Sequence, residues 1–276
     1  EAALQQTSLS SVDEVVMGNV LGAGQGQAPA RQASFHAGLG AQVPATTLNK
    51  MCGSGMKATM IGFDQIALGQ TQVMAVGGME SMSNAPYLLP KMRGGARLGH
   101  SQVADHMFLD GLEDAYEKGR LMGSFAEDCA EKYQFTREAQ DDYALRSLMR
   151  AREAQSSGAF ENEITPLKLA RKKGDYAVVQ DEQPLNAKPE KIPHLKPAFR
   201  ADGSVTAANA SSISDGAAAL ILSSQTHMQQ AGLPCRARIL GHASHAQEPA
   251  WFSTAPIFAT RKLLDRLNWR VEDVDL

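Results

Sequence analysis

Residues 45–69 read ATTLNKMCGSGMKATMIGFDQIALG, and this stretch decides the fold class that the sequence predicts. Its beginning, 45–48, is β-branched and apolar, which is typical of a strand. From residue 54 to 69 the apolar residues recur at helical spacing. Those on one helical face are Met56, Met60, Phe63, Ile66 and Ala67. A strand that turns directly into a helix predicts an α/β fold, in which helices cover a sheet.

The same alternation continues on both sides of this stretch. β-branched or apolar runs predict further strands at 15–17, 73–76, 217–222 and 237–240. Helices are predicted at 29–38, which has proline in its first turn, and at 256–267, which is amphipathic. The two later strands are expected to be buried, so the core pattern returns after a long interruption.

That interruption is richer in charge and proline than the rest of the chain. Within it, Thr136 is a candidate N-cap for a helix that runs to Ser156, and Ala139, Tyr143, Leu148 and Ala151 would form its apolar side. Residues 180–197 contain four prolines and are expected to form an extended loop. We interpret the block as an insertion in the α/β core.

Composition bounds the function. The chain has 276 residues, 43% of them hydrophobic, and a net charge of −3, which favours a globular protein without a nucleic-acid partner. No run is long enough for a membrane span. Three sparse cysteines predict a reducing compartment, hence a cytoplasmic protein, and their spacing fits no metal site. The chain begins inside a helical pattern and stops at a strand-like one, so we expect both ends to be truncated.

Cys52 is the candidate nucleophile. It lies between a predicted strand and a predicted helix, where the N–H groups and dipole of the helix stabilise a thiolate. Gly53 and Gly55 allow a sharp turn and the close approach of a substrate. A thiol also suits thioester exchange, because the acyl group passes between two sulfur atoms. The alternative is a buried structural cysteine beside a glycine-rich turn.

Longer motifs in the same order resemble the thiolase family. The run LNKMCGSGMKA at 48–58 resembles its nucleophile signature, and GGMESMS at 77–83 resembles the next one. Similar residues follow at 110–112, 122–123, 126–127, 197–199 and 215–219. VTAANAS at 205–211 and EPAWFSTAP at 248–256 are most similar to the acetoacetyl-CoA thiolases. The resemblance covers essentially the whole chain.

The resemblance implies a five-layer αβαβα fold of two related α/β halves. Residues 1–83 and 212–234 would form the N-terminal half, and 84–211 an inserted loop domain that binds coenzyme A and makes oligomer contacts. Residues 235–276 would begin the C-terminal half. Assembly as a homodimer or homotetramer is also implied.

The implied reaction joins two acetyl-CoA molecules into acetoacetyl-CoA and CoA, or reverses this by thiolysis, through an acetylated Cys52. Coenzyme A thioesters are then substrates, and no cofactor is needed. Substrate contacts carried over from the family are Ser211 for pantetheine and Lys191 near the phosphates. The walls of the acyl and pantetheine site would be Met122, Leu112, Phe199 and Phe252.

The sequence departs from the family in its proton-transfer residues. Thiolases also use a histidine, an asparagine and a second cysteine, in motifs that this chain lacks. None of the seven histidines has the matching context, and Cys129 and Cys235 fit structural roles better. We therefore expect the chain alone to lack the catalytic histidine and second cysteine, and to be unable to turn over.

Two other functions remain open at this stage. Leu121 stands where many acetoacetyl-CoA thiolases have histidine, which allows a broader 3-ketoacyl-CoA thiolase of fatty-acid degradation. The missing motifs allow a catalytically incomplete thiolase fragment that binds coenzyme A.

Overall fold

The computed structural model describes residues 1–170 and 174–276, which form two compact units. Unit 1 comprises 1–120 and 213–276, and unit 2 comprises 121–212. The strands are β1 (Glu14–Gly18), β2 (Ala45–Leu48), β3 (Val73–Ser81), β4 (Tyr87–Leu88), β5 (Ala104–Asp105), β6 (Leu167–Leu169), β7 (Tyr176–Val178) and β8 (Asp215–Ser223). The α-helices are α1 (Ala2–Thr7), α2 (Pro29–His36), α3 (Ser54–Ala67), α4 (Met122–Lys132), α5 (Arg137–Ser156), α6 (Glu182–Asn186), α7 (Gln225–Gln230) and α8 (Ala255–Leu267). The predicted division into N-terminal half, loop domain and C-terminal half stays a prediction.

Unit 1 is built on a four-stranded sheet in the order β2-β1-β3-β8. β1 pairs in parallel with both β2 and β3, because the chain crosses over through α2 and α3 between them. β8 returns antiparallel to β3, with Val73 opposite Ser223 and Ser81 opposite Asp215. The sheet is therefore mixed, and β8 lies at its edge.

Apolar residues on the two faces of this sheet form two separate cores. One core contains Val16, Met74 and Val76 with Ala58 of α3. The other core lies on the opposite face and contains Leu4, Val12, Val15, Met17, Ala30, Leu39, Val43 and Val73. Because successive strand residues point to opposite faces, Val15 and Val16 belong to different cores. The predicted α/β class is confirmed.

The predicted strand at 73–76 is longer than its apolar run suggested. β3 continues through Gly77 and Gly78 to Ser81, in register with β8. At Gly77 a Cβ atom would lie 2.0 Å from the carbonyl oxygen of Ala218, so a residue with a side chain cannot occupy this position without displacing the neighbouring strand. Glycine, which usually weakens a strand, here allows two strands to approach.

Three other predictions in the later part of the chain are wrong in structure or burial. Residues 217–222 are a strand, but its first part is exposed, with Leu220 exposing 54% of its surface, since β8 is an edge strand. Residues 237–240 form neither helix nor strand. The segment 180–197 is not an extended loop, because it contains α6 and a 3₁₀ helix at Pro189–His194.

Unit 2 is organised around the 20-residue helix α5. The predicted cap is confirmed, since the hydroxyl of Thr136 accepts a hydrogen bond from the Ala139 N–H at 3.2 Å. The predicted apolar side is right only in part: Leu148 and Ala151 are half-buried, but Ala139 is exposed and Tyr143 is 68% exposed, whereas the charged Asp141 is only 4% exposed. The buried side of α5 is thus defined by a polar residue, for which apolar periodicity gives no signal.

Candidate active site

Cys52 lies in the tight turn between β2 and α3. The turn closes through hydrogen bonds from the Gly53 N–H to the Lys50 carbonyl at 3.1 Å and from the Ser54 N–H to the Met51 carbonyl at 3.0 Å. Met51 has a positive φ of 47°, which is uncommon outside glycine. The sharp strand–turn–helix geometry predicted around Cys52 is therefore confirmed.

The side chain of Cys52 is exposed at the start of α3. The alternative of a buried structural cysteine is therefore wrong. α3 has 14 residues, and the positive end of its dipole faces this turn. An exposed thiol at such a helix end can attack an electrophilic carbon.

Close packing of glycines brings the start of α3 against the sheet. A Cβ on Gly18, the last residue of β1, would lie 2.6 Å from the Cβ of Ser54. A Cβ on Gly78 of β3 would lie 3.4 Å from the Cα of Gly55. These close approaches determine how near the turn that carries Cys52 lies to β1 and β3.

Glu80 is a residue of this region whose role the sequence did not reveal. Its carboxylate accepts hydrogen bonds from the Val20 N–H at 2.8 Å and the Leu21 N–H at 3.0 Å. It also accepts one from the side chain of Asn19 at 3.1 Å. Glu80 thereby holds the segment that follows β1. The available signal was its place two residues after Gly78 in the same strand.

Asp215 joins the beginning of β8 to the end of β3. Its Oδ1 accepts the Ser83 N–H at 3.0 Å, and this backbone hydrogen bond lowers the pKa of the Asp215 carboxyl below its usual range. Hydroxyl groups of Ser83 and Ser81 act in the same direction, while burial opposes them. The chain entering β8 is thus anchored by a group that must be ionised.

Two predicted wall residues also belong to unit 1. Leu112 ends a π-helix at Phe108–Leu112 and is half-buried. Phe252 lies in the 3₁₀ helix Pro249–Thr254 and is 43% exposed. Their predicted contacts with substrate stay predictions.

Unit 2 contains an open cavity of about 750 Å³ along α5. One side is a face of α5, and the two other walls are the segments 183–195 and 207–212. This cavity brings together two of the residues predicted from the sequence, since Lys191 lies in the first wall and Ser211 in the second. Its other lining residues include Tyr143, Ser147, Leu148 and Lys188.

The lining suits a long ligand with an anionic end. Lys188 and Lys191 supply two cationic groups, and Ser211 and Ser147 supply hydroxyls. Leu148 and the neighbouring alanines supply an apolar floor. Sequence reasoning missed Lys188 and Ser147, although the spacing of three residues between Lys188 and Lys191 is a signal for side chains on one side of a helical turn.

Met122 and Phe199 lie elsewhere in unit 2, and neither is among the described residues that line the cavity. Met122 is the first residue of α4. The ring of Phe199 covers the next residue so closely that a Cβ on Gly123 would lie 2.3 Å from it. The structure therefore groups Lys191 with Ser211, and Phe199 with the start of α4.

Some kinds of site are not found in the described ranges. Among residues 1–170 and 174–276, no group of three or more His, Cys, Asp and Glu side chains could hold a metal ion. None of the helices in the described part of the chain combines the length and apolar character that a bilayer crossing requires. All three cysteines are free.

Comparison with known proteins gives a consistent result. Residues 1–226 match the family described as "Thiolase, N-terminal domain". Acetyl-CoA acetyltransferase from Pseudomonas aeruginosa is 48% identical over 277 residues, covering 99% of this chain and 70% of that protein. A probable acetyl-CoA acetyltransferase from Dictyostelium discoideum is 47% identical over 97% of this chain and 64% of its own length.

A solved structure agrees with the sequence relatives. The crystal structure of the Acat5 thiolase from Ascaris suum in complex with coenzyme A superposes with a TM-score of 0.92 and 39% identity. The match covers 99% of this chain and 70% of that one. The thiolase-like fold expected from the motifs is confirmed.

Proposed function

Because the chain belongs to the thiolase family, we propose that it acts as an acetyl-CoA C-acetyltransferase. The reaction joins two acetyl-CoA molecules into acetoacetyl-CoA and CoA, and the reverse direction is thiolysis. The observation that carries the proposal is the exposed thiol of Cys52 in the turn before α3.

The first half of the reaction needs Cys52 alone as a covalent participant. Its sulfur attacks the thioester carbonyl, the carbon–sulfur bond to CoA breaks, and CoA leaves as a thiolate. In the second half another acetyl-CoA gives up its α-proton to a base, a role for which this chain alone was expected to lack the residue. The resulting carbanion attacks acetyl-Cys52, so that a carbon–carbon bond forms and the Cys52 sulfur leaves as a thiolate. A reaction of this kind proceeds by ping-pong kinetics.

The cavity of unit 2 is the proposed site for part of coenzyme A. Lys191 and Lys188 would pair with phosphate groups, and Ser211 would hydrogen-bond the pantetheine amides. Met122, Leu112, Phe199 and Phe252 are proposed as apolar contacts of the acyl and pantetheine parts. Coenzyme A enters as a substrate, and we propose no cofactor.

The wider setting is also a proposal. Three free cysteines suit a reducing compartment, which supports the cytoplasm. The family resemblance supports a homodimer or homotetramer and a place in fatty-acid metabolism.

The test is acetylation of the protein with acetyl-CoA followed by peptide mass mapping. We expect one acetyl group on the peptide containing Cys52, released when free CoA is added. The variant Cys52→Ser should not form this thioester, whereas Cys129→Ser, a control, should react like the wild type. An acetyl group on Cys129 or Cys235 instead of Cys52 would overturn the proposal.

A further inference from the structure

Asp141 is a buried carboxylate beside the cavity of unit 2, and it is not itself among the described residues that line the cavity. Apolar periodicity does not single it out, since it lies within a charged stretch of α5. Both of its oxygens accept hydrogen bonds, each from a different direction. A buried carboxylate with two strong partners holds those partners in fixed places, because losing either leaves a buried charge unsatisfied.

The first partner leads to the wall that contains Ser211. The side-chain amide of Asn209 donates to Asp141 Oδ1 at 3.0 Å. The same side-chain nitrogen donates to the Ser204 carbonyl at 3.0 Å, and the side-chain oxygen Oδ1 of Asn209 accepts the Thr206 N–H at 2.7 Å. Segment 204–209 therefore folds around the side chain of Asn209, whose amide nitrogen is hydrogen-bonded to Asp141. Ser211 follows two residues later.

The second partner leads to the wall that contains Lys191. Arg137 Nε donates to Asp141 Oδ2 at 2.7 Å. The other end of the same guanidinium donates to the Ile192 carbonyl at 3.0 Å. Ile192 is itself only 5% exposed, so the 3₁₀ helix that carries Lys191 is fixed both by this bond and by burial.

We propose that Asp141 is a positioning residue that sets the separation of Lys191 and Ser211 across the cavity. One carboxylate on a rigid helix thereby holds the cationic wall through Arg137 and the hydroxyl wall through Asn209. The proposal rests on the proposed function, in that the ligand spanning the two walls is coenzyme A.

Arg152, by contrast, is hydrogen-bonded to one wall of the cavity. Its guanidinium, three helical turns further along α5, donates to the Pro184 carbonyl at 2.8 Å and to the Ala187 carbonyl at 2.6 Å. Both acceptors belong to the same wall, 183–195. The described hydrogen bonds of Arg152 thus order that wall and do not reach the other, whereas the two partners of Asp141 lead to both walls.

The test compares affinities for coenzyme A and its two fragments, pantetheine and adenosine 3′,5′-bisphosphate, by calorimetry. Asp141→Asn keeps the size of the side chain but replaces the carboxylate with a neutral amide. The amide has one acceptor oxygen and cannot accept the hydrogen bonds of both Arg137 and Asn209 in the present geometry. We expect it to weaken coenzyme A binding roughly tenfold and to weaken both fragments. Lys191→Ala should weaken the binding of the bisphosphate alone, and Ser211→Ala should weaken the binding of pantetheine alone. Asp142→Asn, an exposed neighbour on α5, is the matched control and should bind like the wild type.

Hydrogen exchange supplies a second readout. Asp141→Asn should speed amide exchange in 189–195 and 204–212 while leaving β1 to β3 unchanged. If Asp141→Asn does not fold, Asn209→Ala serves instead. It removes the hydrogen bond between Asp141 and the wall that contains Ser211, and should weaken the binding of pantetheine more than that of the bisphosphate.

The outcomes separate the two proposals. If wild-type protein binds coenzyme A but Asp141→Asn matches Asp142→Asn, or loses affinity for one fragment only, the role of Asp141 is overturned and the proposed function stands. If the wild type binds neither coenzyme A nor its fragments, the proposed function fails, and unchanged exchange in either wall would then independently refute the link through Asp141.

Discussion

The last residue of β1, Gly18, packs against Ser54 at the start of α3 so closely that a Cβ on residue 18 would lie 2.6 Å from the Cβ of Ser54. The backbone carbon of Ser54 would be equally near, and the backbone N of Gly55 2.7 Å away. Because these are mostly backbone atoms at a helix start, they cannot rotate out of the way. The position of Cys52, two residues before Ser54, thus depends on the absence of a side chain at residue 18.

We therefore expect Gly18→Ala to shift the start of α3 and to impair the site. Over-packing of this kind lowers the free energy of unfolding by about 1–3 kcal/mol, which urea denaturation measures. The rate of Cys52 acetylation by acetyl-CoA should fall roughly tenfold or more, since small misplacements of a nucleophile have large kinetic effects. Gly216→Ala in β8 is the control, because no described heavy atom lies within 4 Å of its added Cβ. Equal behaviour of the two variants would contradict the packing argument.

A second close approach joins Gly123 to Phe199 in unit 2. A methyl group on residue 123 would lie 2.3 Å from the aromatic ring, so Gly123→Ala must push the ring aside. We expect a loss of about 1–3 kcal/mol in the free energy of unfolding, measured in urea. In the background of Phe199→Ala the same change should be nearly harmless, giving a coupling of about 1 kcal/mol or more in the double-mutant cycle. Additive effects would show that the ring does not rest on Gly123.

The elements predicted best from the sequence are those whose local pattern and tertiary role agree. β2 and α3 around Cys52 follow from a β-branched run, a glycine turn and helical periodicity, and the structure places the strand, the turn and the helix as predicted. The predicted apolar face of α3 is wrong, because Met56 is 68% exposed and the buried residues are Ser54, Ala58 and Gly62. β3 was predicted too short, because glycine normally opposes a strand and here serves the approach of β8.

The parts that failed depend on partners distant in sequence. Exposure of Leu220 follows from the edge position of β8, which no local pattern encodes. The buried face of α5 is set by Asp141, whose partner Asn209 lies 68 positions away, and by Arg137, whose acceptor Ile192 lies 55 positions away. Apolar spacing pointed to Tyr143 instead. Around the candidate site, motifs predicted roles for Cys52, Lys191 and Ser211, and these roles stay predictions, whereas the positions of Glu80 and Lys188 became evident only from the fold.

Asp215 makes stability depend on pH. The Ser83 N–H lowers the pKa of this carboxyl in the folded chain, so its ionised form stabilises the folded state. The contribution is fully present above the unfolded pKa and disappears as the pH falls through the lower folded pKa. We expect Asp215→Asn to be less stable than the wild type at about pH 7, with the gap closing below about pH 4. Urea denaturation across this range measures it, and a gap that widens on acidification would have the wrong sign.

Glu127 and Glu131 on α4 form a matched pair for measuring how much a buried carboxylate contributes to the free energy of unfolding. Glu127 is 3% exposed and accepts the Val205 N–H at 2.8 Å and the Ser204 N–H at 2.9 Å. Glu131 is exposed and pairs with the guanidinium of Arg200 at 2.9 Å. Both lie on the same helix and can be changed to glutamine without altering size.

In Glu127→Gln the new amide group would face backbone N–H groups, placing a donor against a donor in a buried site. We expect the free energy of unfolding to fall by about 1.5–3 kcal/mol, the range for a lost hydrogen bond to a charged group. Glu131→Gln loses only an exposed ion pair, so its effect should stay below about 1 kcal/mol and shrink further in high salt. Urea denaturation at low and high salt measures both variants. If the two losses were equal, burial of Glu127 would not be what anchors segment 204–205 to α4.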